Sequence, residues 1–125
     1  MNQRDQAVPN QDEADIEQQI QDKGLNAPRL TPDMIDGVIL DEQYHVFPGT
    51  TMTVCCLTLM NGYCVTGESA AASPENFDEE IGRHIARRNA RDKIWSLEGY
   101  LLRERLTLAG PIAGFDDEPQ SPDAA

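Results

Sequence analysis

Three arginines in the C-terminal half of the chain are spaced so that they could bind an anion together. Arg83, Arg87 and Arg91 recur at every fourth residue, which places their side chains along one face of a helix. A guanidinium group matches phosphate oxygens with two parallel hydrogen bonds. Seven of the ten lysines and arginines fall between residues 83 and 105. The pattern therefore predicts a local phosphate site in an acidic protein.

The same charges also fit an ordinary solvated helix. Glu79 precedes Arg83 by four residues, and Asp92 follows Arg88 by four. This is the spacing at which opposite charges pair on a helix surface. The pattern alone favours neither interpretation.

Further residues around the arginines are candidate ligand contacts. Asn89 interrupts the arginine stretch although asparagine is a poor helix former, so its amide could bind a base or ribose, or simply face solvent. Glu68 and Ser69 could contact ribose hydroxyls or close a strand. Tyr63 offers an aromatic surface. The predicted ligand-binding residues are Arg83, Arg87, Asn89, Arg91, Tyr63, Glu68 and Ser69.

Catalytic and metal-binding patterns are not evident in the sequence. Cys55 and Cys56 are neighbours and point to opposite faces of a strand, and Cys64 is not part of a C-x-x-C motif. An odd number of cysteines in an apolar segment is typical of reduced, buried thiols. His45 and His84 lie outside any hydrolase motif. We expect no catalytic residue, metal or cofactor, and hence a binding protein rather than an enzyme.

The charge and length limit the class of protein. The formal net charge is -12 and the pI is about 4.3, which repels nucleic-acid polymers and anionic lipid at long range. No apolar run approaches the ~18–20 residues that cross a bilayer, and no export segment follows Met1. We expect one domain in the cytoplasm, with neither a membrane nor a nucleic-acid polymer as partner.

A β-hairpin is the clearest predicted element. Strand-forming residues fill Tyr44–Phe47 and Thr50–Leu59, and Asn61-Gly62 is the strongest short signal for a two-residue turn. That turn pairs Thr50–Met60 with Tyr63–Glu68, and puts Leu59 opposite Cys64. Both faces of the hairpin then carry many apolar residues, so we expect one to pack on helices and the other on a second subunit.

Helix signals flank the hairpin. A capping threonine and a proline predict a short helix over Pro32–Leu40. Ser73-Pro74 predicts the start of a long helix that runs to about Glu104 with a bend at Gly99. The fold class is α+β, with a small antiparallel sheet, an Asn-Gly hairpin and a long C-terminal helix.

The two ends of the chain are too polar to join the core. Residues 1–30 are rich in Asn, Gln, Asp and Glu, which predicts a disordered arm with a transient helix at 12–22. Residues 107–125 predict an acidic disordered tail. The ligand-binding domain is then 31–106.

Four contiguous segments carry a resemblance to a known family. They are EQYHVFPGTT at 42–51, NGYCVTGES at 61–69, SPENFD at 73–78 and IWSLEGYLL at 94–102. Together they resemble a family of small tailed-phage proteins, to which the Thoeris anti-defence sponges of the first type are similar. The resemblance covers roughly residues 31–106.

This resemblance implies a phage protein that acts in the host cytoplasm. It implies capture, without cleavage, of glycocyclic ADP-ribose, an immune signal made by a host enzyme, and for some members of cyclic oligonucleotides at a second site. It also implies a homo-oligomer, a dimer that can assemble into a hexamer. The alternative is a phage protein that binds a host protein through an apolar sheet face.

Overall fold

The computed structural model describes residues 11–110, which form three α-helices and one antiparallel sheet of three strands. The predicted α+β class, with a hairpin followed by a long C-terminal helix, is confirmed. Predictions for residues 1–10 and 111–125 lie outside the described residues. The elements in chain order are α1 (Gln11–Asp22), α2 (Pro32–Gly37), β1 (Ile39–Val46), β2 (Met52–Leu59), β3 (Cys64–Ala70), a 3-10 turn (Pro74–Asn76) and α3 (Glu79–Leu108).

The central strand β2 supplies most of the sheet's contribution to the core. Its side chains alternate strictly between buried and half-buried, as expected where only one face is covered. Leu57 of β2 and Ile94 of α3 are fully buried, and burial of such a side chain stabilises the fold by about 1.5–3 kcal/mol. The core consists of Ile35, Cys55, Leu57, Leu59, Val65, Ala86, Ala90 and Ile94.

The connection between β2 and β3 is a three-residue loop, not the predicted two-residue turn. The Leu59 N–H donates to the Tyr63 carbonyl and the Gly62 N–H donates to the Leu59 carbonyl, both at 2.8 Å. Gly62 adopts a φ of 91°, and the Asn61 side-chain oxygen accepts from the Tyr63 N–H at 3.0 Å. Three-residue loops with glycine in the left-handed region are the next commonest hairpin connection. The Asn-Gly signal therefore located the turn but not its length.

The longer loop shifts the strand pairing by one residue. Thr58 pairs with Cys64, and Leu57 pairs with Val65, whereas the sequence predicted Leu59 opposite Cys64. Because side chains alternate along a strand, a shift of one residue exchanges the two faces of β3. Val65 therefore lies on the same face as Leu57, in the core, whereas the predicted pairing put these two residues on opposite faces.

The sheet face turned away from α3 carries both polar and apolar side chains. This open face consists of Asp41, Gln43, His45, Met52, Val54, Cys56, Thr58, Cys64, Thr66, Glu68 and Ala70. The part that belongs to the hairpin is largely apolar, as predicted, whereas β1 adds three polar side chains. The predicted homo-oligomer stays a prediction.

Helix α3 packs on the sheet through small residues. Gly82, Ala86 and Ala90 are buried along its inner face. Ala86 and Ala90 lie against Gly67 of β3, and Gly82 lies against Thr53 of β2. A Cβ atom added at Gly67 would lie 2.2 Å from the Ala90 nitrogen and 2.4 Å from the Ala86 oxygen. The two backbones therefore approach each other more closely than any side chain at this position permits. This contact fixes where α3 crosses the sheet.

The two caps predicted for the helices differ in outcome. The Thr31 hydroxyl accepts from the Met34 N–H at 3.2 Å, as the sequence suggested. Helix α2 ends at Gly37, before the predicted end at Leu40, and strand β1 begins at Ile39. Ser73-Pro74, in contrast, opens only the 3-10 turn. The long helix begins after Asp78, whose carboxylate accepts from the Ile81 N–H at 2.9 Å.

Helix α1 lies inside the segment predicted as a disordered polar arm. None of its described residues is buried. Glu17 pairs with Arg29 at 2.7 Å, and Glu13 pairs with Arg91 of α3 at 2.6 Å. The helix predicted at residues 12–22 is therefore present as α1, attached through ion pairs, and disorder of the arm stays a prediction.

Candidate functional site

The arginines of the predicted anion site all form ion pairs within the chain. Arg83 reaches Glu79 one turn earlier at 3.5 Å, and both side chains are exposed. Such a surface pair contributes little to the free energy of unfolding, about 0–1 kcal/mol. Arg87 donates from Nε to Glu42 of β1 at 2.7 Å. The solvated-helix interpretation therefore describes Arg83, whereas Arg87 connects α3 to the sheet.

Arg91 is the most enclosed of the three. Its Nε donates to Asp36 at 2.7 Å, its Nη1 to Glu13 at 2.6 Å and its Nη2 to the Pro32 carbonyl at 3.4 Å. The side chain is only 10% exposed. Burial acts to lower the pKa of Arg91, but the hydrogen bonds to the two carboxylates outweigh it and the pKa is raised. One guanidinium thus joins all three helices.

Glu42 lies at the centre of a small polar network beside Arg87. Its second oxygen accepts from the Tyr44 hydroxyl at 3.2 Å. Burial, with the nearby Cys55 and Glu42, raises the pKa of Tyr44, and burial raises the pKa of Cys55 to about 11. Both groups therefore stay protonated at neutral pH, where neither is an active nucleophile.

The other predicted contacts fall at separate places. Asn89 Nδ2 donates to the Glu68 carbonyl at 2.9 Å, so the structure brings these two residues together as a tie between α3 and β3. The Glu68 side chain belongs to the open face, and Ser69 pairs with Thr53 in the sheet. Tyr63 lies at the far end of β3, beside the loop. The seven predicted residues thus lie on several elements, and their role as ligand contacts stays a prediction.

The described part of the chain contains a groove between the hairpin loop and the C-terminal part of α3. Its volume is about 410 Å³, which is within the range of small-molecule sites. Tyr63 is the predicted contact that lines it. The lining consists of Val38, Leu59, Met60, Asn61, Tyr63, Ser96, Leu97, Glu98, Tyr100 and Leu101.

The groove combines a mostly apolar wall with a few polar groups. Tyr63 and Tyr100 are 58% and 73% exposed, so their rings are available to a ligand. A tyrosine ring can stack on a planar group and still offer its hydroxyl for hydrogen bonding. Glu98, Asn61 and Ser96 supply a carboxylate, an amide and a hydroxyl. This arrangement is chemically suited to bind an aromatic base with an attached polar group.

Sequence reasoning missed the groove because the spacing of apolar residues in a long helix does not show where the helix leaves the sheet. The groove could have been inferred from the length of the helix compared with that of the strands. A helix of 30 residues is about 45 Å long, whereas a strand of 8 residues spans about 26 Å. Such a helix must extend past the sheet, and its apolar residues beyond that point remain exposed.

Residues 11–110 contain neither a cluster of metal ligands nor a helix that could span a membrane. Within that range, no group of three or more His, Cys, Asp or Glu side chains is placed to hold a metal ion. Over the same residues, no helix is both long and apolar enough to cross a membrane.

Comparison with known proteins identifies the family. Neither the curated proteins nor the solved structures give a significant match to this chain. A family model, in contrast, matches residues 30–106, which is more than half of the chain and includes the sheet, α2 and nearly all of α3. This confirms the predicted kinship with small phage proteins. The chain belongs to the phage protein family described as N4 Gp49/phage Sf6 gene 66.

Proposed function

We propose that the protein is a phage anti-defence protein that binds a cyclic nucleotide immune signal in the host cytoplasm and holds it without cleaving it. The ligand class is glycocyclic ADP-ribose or a related cyclic nucleotide. The observation that carries the proposal is the groove at the hairpin loop, where two exposed tyrosines flank an apolar wall. Membership of a phage protein family supports a role inside the infected bacterium.

The groove is suited to the base of such a ligand. Its volume of about 410 Å³ accommodates a base and a ribose but leaves little space for more. Stacking on Tyr63 or Tyr100 contributes about 1–3 kcal/mol per base in comparable sites. The Glu98 carboxylate is an acceptor for an exocyclic amine or a ribose hydroxyl.

The phosphates of the ligand then need cationic donors close to the groove. Glu98 follows Arg91 by seven residues, which places it on the same helical face about 10 Å further along α3. A nucleotide spans a distance of this order. Because Arg91 and Arg87 are bound to carboxylates in the single chain, a phosphate at either arginine competes with a carboxylate. Further donors are the other cationic residues of α3 or those of a second copy in a homo-oligomer.

Calorimetry tests the proposal directly. Cyclic ADP-ribose isomers and cyclic oligonucleotides are titrated into the full chain, and we expect saturable heat for at least one of them. Tyr63→Ala should weaken that binding on the order of tenfold or more. Phe47→Ala is the matched control, because Phe47 is an exposed aromatic residue in the turn at the opposite end of the sheet. Equal loss in both variants, or no heat with any ligand, contradicts the proposal.

The same experiment distinguishes capture from turnover. The complex is heat-denatured and the released nucleotide is analysed by mass spectrometry. We expect the intact cyclic molecule in an amount equal to that bound. Recovery of a linear product with the wild-type protein would make it an enzyme and overturn the sequestration proposal.

A second candidate function is binding of a host protein. Met60, Tyr63 and Tyr100 are all more than half exposed at the groove, and exposed apolar patches of this kind mark interaction surfaces. The groove rim thus offers apolar surface to such a partner in addition to the open sheet face. A stoichiometric host protein that is captured by the wild type and lost with Tyr100→Ala, with no nucleotide released, would favour this function.

A further inference from the structure

Helix α1 is attached to the domain almost entirely by charge. Glu13 and Glu17 are the half-buried acidic residues on its inner side. Glu17 pairs with Arg29 of the following segment, and Glu13 accepts from Arg91 Nη1 at 2.6 Å and from Trp95 Nε1 at 3.2 Å. None of the described residues of α1 is buried, and Ile20 is its half-buried apolar residue, so little apolar surface opposes release of the helix.

The family match gives an independent reason to treat α1 as an addition. It begins at residue 30 and therefore includes Arg91 and Trp95 but not α1. The donors belong to the shared part of the fold, whereas the carboxylate that occupies them in this chain does not. A contact made by an additional helix is not required by the sheet and α3, which pack on each other independently of it.

The donors that hold Glu13 are suited to an anion in general. A guanidinium N–H and an indole N–H converge on one carboxylate oxygen, which is the way proteins also hold a phosphate oxygen. Asp36 contacts a different nitrogen of Arg91, the Nε. Departure of Glu13 therefore frees Nη1 and the indole N–H while Asp36 keeps the guanidinium in position.

We propose that Arg91 and Trp95 form a phosphate-binding site and that α1 is a displaceable strap whose Glu13 carboxylate occupies this site until a phosphate-bearing ligand replaces it. The inference rests on the proposed nucleotide function and adds to it a competition between the chain's own acidic helix and the ligand. The strap keeps Arg91 neutralised in the absence of ligand and raises the concentration of ligand needed to bind.

Nuclear magnetic resonance of the full chain tests the strap. Trp95 is the single tryptophan, so its indole N–H gives one resonance that reports directly on the contact with Glu13. Pyrophosphate is the probe, added at constant ionic strength. We expect a saturable shift of the indole resonance, and in Glu13→Gln a displaced resonance before any addition and pyrophosphate affinity about tenfold higher than in the wild type.

Asp15→Asn is the matched control, because it removes the same charge from the exposed side of the same helix. Its indole resonance and its affinity should equal those of the wild type. Equal behaviour of Glu13→Gln and Asp15→Asn would overturn the proposal. So would an indole shift that an equal ionic strength of sodium chloride reproduces.

A parallel titration with cyclic ADP-ribose separates this inference from the proposed function. If pyrophosphate competes with Glu13 but no cyclic nucleotide binds, the strap stands and the proposed function fails. If a cyclic nucleotide binds with the same affinity to wild type and Glu13→Gln, the proposed function stands and the strap fails.

Discussion

The two halves of helix α3 both contain apolar and charged residues, but only the first half lies on the sheet. From Glu79 to Ile94 the helix lies on the sheet and buries Gly82, Ala86, Ala90, Arg91 and Ile94. From Trp95 to Leu108 none of its described residues is buried, although leucine and tyrosine continue. The first, packed half (79–94) holds the fold together, whereas the second, free half (95–108) leaves Tyr100, Leu101 and Leu108 exposed.

This difference assigns separate tasks to charge and to apolar surface. On the packed half, Arg87 and Arg91 are engaged by carboxylates of β1, α1 and α2, so these two arginines serve first as crosslinks. On the free half, Tyr100 and Leu101 line the groove. A positive stripe in an acidic chain is therefore not by itself a ligand site.

The closest backbone contact of the packed half should be the most sensitive position. Gly67→Ala places a Cβ atom 2.2 Å from the Ala90 nitrogen, so the strand or the helix must move. We expect a loss of at least about 3 kcal/mol in the free energy of unfolding, measured by urea denaturation. Gly37→Ala, with no atom within 4 Å of the new Cβ, is the control. Equal stability of the two variants would contradict the observed approach.

Apolar truncations should separate the two halves directly. Ile94→Ala removes a fully buried side chain and should cost about 3 kcal/mol in urea denaturation. Leu101 is 42% exposed, so Leu101→Ala should change stability by less than about 1 kcal/mol. A comparable loss at Leu101 would mean that the second half is packed against something in solution, as in a homo-oligomer.

Replacing the enclosed Arg91 should destabilise the fold more than replacing the exposed Arg83. Arg91→Ala leaves the Glu13 and Asp36 carboxylates without their shared cation, and we expect a loss of about 2 kcal/mol, reduced from the value for a fully buried pair because Asp36 is 42% exposed. Arg83→Ala should cost less than about 0.5 kcal/mol. Thermal unfolding of both variants measures the difference, and equal shifts would show that Arg91 is not a crosslink.

Acid should weaken the attachment of α1 in a predictable range. The hydrogen bond from Arg29, helped by Gln21, lowers the pKa of Glu17 from an ordinary 4.5 to about 2. Because the folded pKa is the lower one, the contribution of Glu17 is complete above pH 4.5 and is lost as the pH falls towards 2. Carboxyl carbon resonances should report this titration. Glu17→Gln should remove the corresponding change in α1, and an identical acid response in that variant would contradict the assignment.

The sequence predicted what depends on local pattern. Strand propensity predicted β2, and Asn61-Gly62 located the hairpin. The loop length remained undetermined because the same two residues serve both two-residue and three-residue loops. The resulting shift by one residue exchanged the two faces of β3.

The candidate site could be predicted only in part, because the residues that contact Arg91 are distant from it in sequence. Arg91 meets Glu13 and Asp36, which are 78 and 55 residues away, and spacing within a helix does not show such pairs. The pattern therefore found the arginines but not the carboxylates that hold them. Tyr63 was predicted as a ligand contact and lines the groove, whereas Tyr100 also lines it and was not among the predicted contacts.

Mapping the ligand contacts on the full chain tests the central claim, that the free half of α3 and the hairpin loop form the ligand site. Cyclic ADP-ribose is titrated into isotope-labelled protein, and the resonances that shift are assigned to residues. The account predicts saturable shifts that include Tyr63, Glu98 and Tyr100 and leave Phe47 unchanged. Shifts confined to the open sheet face, or no shifts at saturating ligand, would contradict it.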